Sequence, residues 1–305
     1  MEKRVVMIVG PTGVGKTGAS VLLAQKLGTE IISADSMQIY RHMDIGTEKP
    51  SPEQLEAAPH HMVNIVEPSE SFSAGKYLEA AGAIIEALHA EGRIPVVVGG
   101  TGLYIKTMTR GIFDGPEADP VLRETLGKHS ASSLHQKLIG LDPETAAGIM
   151  PEDKRRIVRA LEVCLTTGRK MSELKAEGTA PLPYTFIKIA LTRDRKELYR
   201  MIDDRVDHMF RNGLVEEVKR ILIMNPDQTP MQAIGYKEVA AYLTGEYDHE
   251  EAVRLVKRNT RRYAKRQYTW FNKEIDLQWV DITGLYDSQS VYERIVPVLK
   301  TNGII

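Results

Sequence analysis

The eight residues GPTGVGKT, positions 10–17, constrain this chain more than any other stretch. They follow a short apolar run, RVVMIV at 4–9, and open a helical pattern that runs from Lys16 to Leu27 and stops at Gly28. A continuous apolar run that ends in glycine reads as a buried strand. Gly10 and Gly15 let the backbone wrap closely, so that N–H groups and a helix N-terminus converge on phosphate oxygens. Lys16 adds a point charge, and the Thr17 hydroxyl is placed to ligate Mg2+. Strand, phosphate loop and helix in this order require an α/β layer in which the loop sits at the carboxyl end of its strand.

The alternation continues. Residues 30–35 (EIISAD) read as a second strand, 36–72 as loop with short helical pieces, 73–91 as a helix closed by Gly92, and 94–98 (IPVVV) as a third strand. A Gly/Pro/Asp-rich hinge at 111–120 ends this pattern, and 120–178 shows helical periodicity only. Residues 184–191 (YTFIKIAL) then read as a strand returning to the sheet. Residues 195–273 are mostly helical, 277–282 read as a last strand and 288–300 as a last helix. The expected fold is α/β: a P-loop NTPase-like core with a parallel sheet flanked by helices, plus a small inserted all-helical domain. The core takes 1–115 and 183–305, and the insert takes 116–182.

With 42% hydrophobic and 27% charged residues, the chain has the composition of a soluble globular protein. No stretch is long and apolar enough to span a bilayer, and the first apolar run is too short for a signal peptide. The single cysteine, Cys164, lies in the helical pattern RALEVCL and suits a buried thiol in a reducing compartment. A cytoplasmic monomer is expected. His60 and His61 are adjacent, point apart on an extended chain and have no third ligand nearby, so they are not read as a metal site.

A P-loop specifies a phosphate chain and Mg2+, not a nucleotide. Nucleoside triphosphatases also place an aspartate at the end of an apolar strand to hold the metal. Here the third strand ends in Gly99-Gly100-Thr101-Gly102, a second glycine-rich turn into a helix. Beside a P-loop it is read as a second set of phosphate donors, with the Thr101 hydroxyl among them. Asp35 closes the second strand and belongs at the same edge. Its carboxylate suits three roles, which the sequence leaves open: taking a proton from a nucleophile, holding the metal through water, or capping the next helix.

Net charge is −1, but it is unevenly spread. Residues 254–273 hold eight of the 40 Lys/Arg and no acid, leaving 32 bases against 41 acids elsewhere, a balance of −9. Arg254, Lys257, Arg258, Arg261, Arg262, Lys265 and Arg266 step by three and four and share one helix face, with Val253, Val256, Tyr263 and Trp270 expected on the core face. Like charges so spaced weaken a helix, so the stripe suits a polyanionic partner. A second cluster, Lys154, Arg155, Arg156 and Arg159, lies in the insert. Two basic surfaces on separate domains suggest a cleft that grips a polyanion.

GPTGVGKT, ISADSMQIYRHMDIGTEKP, PHHMVNIVEP, VVVGGTGLYIK, RRIVRALEV, AIGYKE and AKRQYTWF occur here in an order that resembles the tRNA dimethylallyltransferase family, over about residues 5–273. The resemblance implies transfer of a dimethylallyl group from dimethylallyl diphosphate to N6 of adenosine 37 of tRNA, with release of diphosphate. It implies that Gly10, Thr12, Gly13, Val14, Gly15, Lys16 and Thr17 hold the diphosphate, with Mg2+ on Thr17. Arg205 would reach the same diphosphate, and Asp35, Thr101 and Arg205 would be catalytic. Asp35, Ser36, Met37 and Gln38 would recognise the flipped adenine, and Thr101 would hold the diphosphate and also contact the tRNA. Arg123, Arg155, Arg156, Arg159, Gly235, Tyr236, Lys237, Lys265, Arg266 and Gln267 would hold the anticodon stem-loop. Three other readings share part of the pattern. A small-molecule or nucleotide kinase shares the P-loop, and a prenyltransferase for free adenine nucleotides shares the donor. A plain RNA-binding protein shares the basic helix.

Overall fold

The computed structural model describes residues 3–113, 115–178 and 180–305. The chain divides into two compact units, residues 1–105 with 183–305, and residues 106–182.

In the first unit the described residues form one six-stranded sheet: β1 (Arg4–Val9), β2 (Ile31–Ala34), β3 (His60–His61), β4 (Val96–Gly99), β5 (Thr185–Thr192) and β6 (Leu277–Asp281). The order is β3-β2-β4-β1-β5-β6, and every neighbouring pair is parallel. β1 lies inside the sheet, and its residues from Val5 to Val9 are fully buried, which accounts for its unbroken apolar run. Helices Lys16–Leu27, Arg195–Arg211 and Ser288–Thr301 supply Leu23, Ile202, Ile295 and Leu299 to the same core as Val6, Ile8 and Ile189. A second apolar cluster joins Ile39, Tyr40 and Met43 to Leu214, Val218, Tyr236 and Val239.

Register decides what the sheet can do. Val9 stands opposite Gly99, and Ala34 stands opposite the same Gly99. The P-loop, the glycine-rich turn 99–102 and the Asp35 turn therefore leave the sheet at one level, at its carboxyl edge.

Segment 36–72, read as loop with helical pieces, also contains β3. Two residues are too few for an alternating pattern to appear in sequence. Ile31 and Ile32 pair with His60 and His61, and the His61 imidazole lies 2.5 Å from the Glu30 carboxylate. The histidine pair thus finishes a sheet edge.

The second unit is helical: Pro120–Gly127, Ala131–Leu141, Pro143–Ala147, Lys154–Thr167 and Met171–Glu177. Leu126, Leu134, Leu138, Ile157, Ala160 and Leu161 form its core. Cys164 is buried in this unit, and burial pushes its thiol up.

Candidate active site

Gly10 adopts φ 144°, and a Cβ there would lie 2.7 Å from the Leu191 carbonyl oxygen, so the loop passes β5 too closely for a side chain. Helix Lys16–Leu27 then starts at Gly15, in the left-handed region at φ 103°, with no side-chain cap and no acid in its first turn. Its leading N–H groups and positive dipole end remain for an anion. Lys16 folds back over the loop, its Nζ donating to the Gly10 carbonyl at 3.0 Å and the Pro11 carbonyl at 2.9 Å. Burial pushes the Lys16 ammonium down to about 8 against the pull of the Asp35 carboxylate. Arg205 lowers it further, and Glu48 opposes that.

An open cleft of about 460 Å³ lies over these loops, lined by Thr12, Lys16, Thr17, Asp35, Glu48 and Arg205 among others. Arg205 enters from helix Arg195–Arg211. One guanidinium nitrogen donates to Thr12 Oγ1 at 2.8 Å and the other contacts Glu48 Oε2 at 2.5 Å, while its buried Nε finds no partner among the described residues. Asp35 Oδ1 accepts the backbone N–H of Met37 at 2.8 Å and of Gln38 at 3.4 Å, so one carboxylate oxygen caps a turn where a helix was expected. Thr101 ties two turns together: its Oγ1 accepts the Ser36 N–H at 3.0 Å and its own N–H donates to the Ala34 carbonyl at 3.1 Å.

Several residues expected at an RNA surface sit elsewhere. Gln267 is buried, with Oε1 accepting the Thr12 N–H at 2.9 Å and Nε2 donating to the Gly100 carbonyl at 2.9 Å. Its amide braces the P-loop against the second glycine-rich turn and does not face outward. Tyr236 is fully buried, and its hydroxyl donates to Glu217 Oε1 at 2.5 Å. Gly235 caps helix Tyr236–Leu243, and the Lys237 beside it is exposed. Met37 packs at the margin of the second apolar cluster. The Gln38 amide donates to the Glu48 carbonyl at 3.0 Å and accepts from Ser33 Oγ at 3.0 Å.

The basic stripe on helix His249–Phe271 splits in two. Arg254 pairs with Glu251, Lys257 with Asp207 at 2.6 Å, and Arg261 with Asp203. Arg262, Lys265 and Arg266 are exposed, and Arg266 lies 5.6 Å from the Tyr263 ring centre. The buried line is Ala252, Val256, Thr260, Ala264, Gln267 and Phe271, so that of the expected core residues Val256 is buried while Val253, Tyr263 and Trp270 are not. Small residues let the helix sit close to its neighbours, which leaves the larger aromatics Tyr263 and Trp270 half-buried at its flank. In the second unit, Arg123 and Arg159 both grip the fully buried Glu162 carboxylate, at 2.7 and 2.5 Å. Arg155 and Arg156 are exposed there, Arg156 reaching Asp153 at 3.4 Å.

Two features escaped the sequence reading. Arg193, buried just after β5, donates through Nε to the Val14 carbonyl at 2.8 Å, through Nη1 to the Ile282 carbonyl at 3.0 Å, and also pairs with Glu197. It clamps the P-loop to the segment after β6, and its place at a strand's carboxyl end is the signal that marks it. The C-terminal segment, which carries none of the family motifs, supplies Tyr286, Asp287, Ser288 and Val291 to the cleft wall.

A family model described as IPP transferase matches residues 38–274. The tRNA dimethylallyltransferase of Thermodesulfovibrio yellowstonii is 49% identical, over 98% of this chain and 98% of its own length. That of Geobacter sulfurreducens is 47% identical over 95% of each. Among solved structures, the tRNA isopentenylpyrophosphate transferase of Bacillus halodurans superposes with a TM-score of 0.73 at 40% identity, covering 99% of this chain and 98% of that one. A eukaryotic dimethylallyltransferase acting on tRNA gives 0.82 at 31% identity, covering 99% of this chain and 80% of that one. With relatives this similar along nearly the whole length, and a P-loop cleft of this build, the chain belongs to the tRNA dimethylallyltransferase family.

Proposed function

We propose that the chain transfers a dimethylallyl group from dimethylallyl diphosphate to N6 of adenosine 37 in tRNA. The observation that carries this reading is the meeting of an anion cradle and a carboxylate in one cleft: Lys16, Thr17 and Arg205 with Asp35. The cradle takes the diphosphate of the donor. N6 attacks C1 of the dimethylallyl group, the C1–O bond breaks with its electron pair to the diphosphate oxygen, and the N6 proton passes to Asp35. An allylic diphosphate leaves readily once its charge is neutralised, so electrostatic stabilisation and positioning supply most of the catalysis. The adenine must leave the loop stack, at a cost of about a few kcal/mol, which calls for a firm hold on the tRNA backbone. Arg262, Lys265, Arg266 and Lys237 on the first unit, and Arg155 and Arg156 on the second, are the exposed bases suited to that hold.

Mg2+ fits the donor set. Among the described residues no group of three His, Cys, Asp or Glu forms a metal cage, while the Thr17 hydroxyl lines the cleft. Mg2+ favours a few protein oxygens plus phosphate oxygens and water. Thr17 would hold it against the diphosphate, where it neutralises leaving-group charge. Among the described residues no helix is long and apolar enough to cross a membrane. A cytoplasmic monomer acting on tRNA is the working picture.

The test is label transfer. Unmodified tRNA with adenosine at position 37 is mixed with Mg2+ and either labelled dimethylallyl diphosphate or γ-labelled ATP. Label in tRNA from the prenyl donor alone is the expected result. No transfer from that donor, with γ-phosphate moving to an acceptor, makes the chain a kinase. Asp35→Asn keeps the cap on the Met37 N–H and removes the base, so its turnover falls about 10²–10⁴-fold while tRNA affinity stays within a few-fold.

A further inference from the structure

Glu48 lines the cleft, yet nothing in the transfer chemistry calls for a carboxylate beside the diphosphate. It lies 2.5 Å from Arg205, the cation that the leaving group needs. Its backbone sits at φ 52°, in the left-handed region that a non-glycine residue enters at a cost. The surrounding turn is firmly held. Buried Glu217 accepts the N–H groups of Asp44, Ile45 and Gly46 at 2.9, 2.8 and 3.0 Å and the Tyr236 hydroxyl at 2.5 Å. Lys49, the next residue, donates to the Tyr40 carbonyl and the Asp44 carboxylate, both at 2.6 Å. A rigid, strained turn therefore aims one carboxylate at the anion-binding arginine.

Resting on the diphosphate reading of the cleft, we propose that Glu48 is a built-in stand-in for the diphosphate: it holds Arg205 while the cleft is empty and yields when the donor arrives. The Glu48 side chain is 50% exposed and that of Arg205 is 18% exposed. Such an ion pair is weak, and a half-exposed carboxylate can swing into solvent at little cost. A diphosphate offers Arg205 more charge and a bidentate partner, so it wins the exchange. Glu48 engages one terminal guanidinium nitrogen, and the buried Arg205 Nε has no hydrogen-bond partner among the described residues, so the pair leaves the guanidinium unsaturated. Glu48 thereby keeps Arg205 aimed into the cleft, lowers donor affinity and speeds diphosphate departure after transfer. It acts through Arg205 and is a positioning and affinity-setting residue.

The probe is inorganic pyrophosphate, titrated calorimetrically with and without Mg2+ into the full chain and into Glu48→Gln and Glu48→Ala. Both variants are expected to bind about three- to tenfold tighter, and the pyrophosphate inhibition constant against dimethylallyl diphosphate should fall by the same factor. Unchanged or weaker binding in both variants overturns the proposal, and weakening only with Mg2+ would make Glu48 a metal ligand instead. A wild-type chain that binds no pyrophosphate overturns the diphosphate reading itself, an outcome distinct from the failure of Glu48 alone.

Discussion

Gln267 Oε1 accepts the Thr12 backbone N–H at 2.9 Å, and so joins the end of the long basic helix to the heart of the P-loop. The same side chain reaches the Gly100 carbonyl at 2.9 Å, so one amide sets the spacing of the two glycine-rich turns. Gln267→Ala leaves two backbone groups unpaired and should lower stability by about 1–3 kcal/mol. The Michaelis constant for dimethylallyl diphosphate should rise while that for tRNA barely changes. A selective rise for tRNA would return Gln267 to the RNA surface.

Lys16 must carry its charge to hold an anion, and burial has brought its ammonium down to about 8. Above that value the free protein loses the charge, so donor capture weakens as pH rises. Diphosphate favours the charged form, so its binding above pH 8 takes up a proton. The sign for stability is opposite: a depressed lysine costs the fold most below about 8, and that cost is relieved as pH rises toward the ordinary 10.5. A profile of kcat/KM for the donor should fall above pH 8. A profile flat to about pH 9.5 would mean that Lys16 stays charged or is not required.

Only part of the basic helix is free to meet RNA. Arg262, Lys265 and Arg266 are exposed, whereas Lys257 and Arg261 face Asp207 and Asp203. Changing Arg262, Lys265 and Arg266 to Glu should weaken tRNA binding about tenfold or more and reduce its salt slope by up to about three. Changing Arg254, which pairs with Glu251, to Ala should leave binding within about twofold. Equal losses in the two sets would show that the internal ion pairs open on binding.

Glu162 organises the helical unit. Burial pushes its carboxyl up, but Arg123, Arg159 and the Asp119 N–H overrule burial and hold it below its ordinary value. Its contribution is present above the unfolded value of 4.5 and is lost as pH falls through the lower folded value. Glu162→Ala removes the partner of two half-exposed arginines and of the Asp119 N–H and should cost about 1–3 kcal/mol, read as a lower unfolding temperature. Limited proteolysis should then cut first within residues 106–182. A variant as stable as wild type would show that the arginines find other partners.

The strands of the core were legible because each is a short apolar run bounded by glycine or a turn, as at 4–9 and 94–98. β3 was not, since a two-residue strand exists only through its pairing with Ile31 and Ile32. The phosphate loop could be read residue by residue because its chemistry is local: backbone N–H groups, a lysine and a hydroxyl within eight positions. Arg193 and Glu48 could not, because each matters through partners far along the chain, the Val14 carbonyl and the Arg205 guanidinium. Charge along helix 249–271 was visible, but which bases are neutralised depends on acids 50 or more residues away, at Asp203 and Asp207.

Local covalent order alone determined the P-loop, the parallel α/β layer and the family pattern, since strand, glycine turn and helix are contiguous and need no partner to be recognised. Tertiary structure decided the rest. It turned Gln267 and Tyr236 inward to brace backbone, and brought the C-terminal helix to the cleft wall. It set Glu48 against Arg205. Burial and ion pairing are properties of neighbours in space, and a side chain's role follows from whichever neighbour the packing supplies.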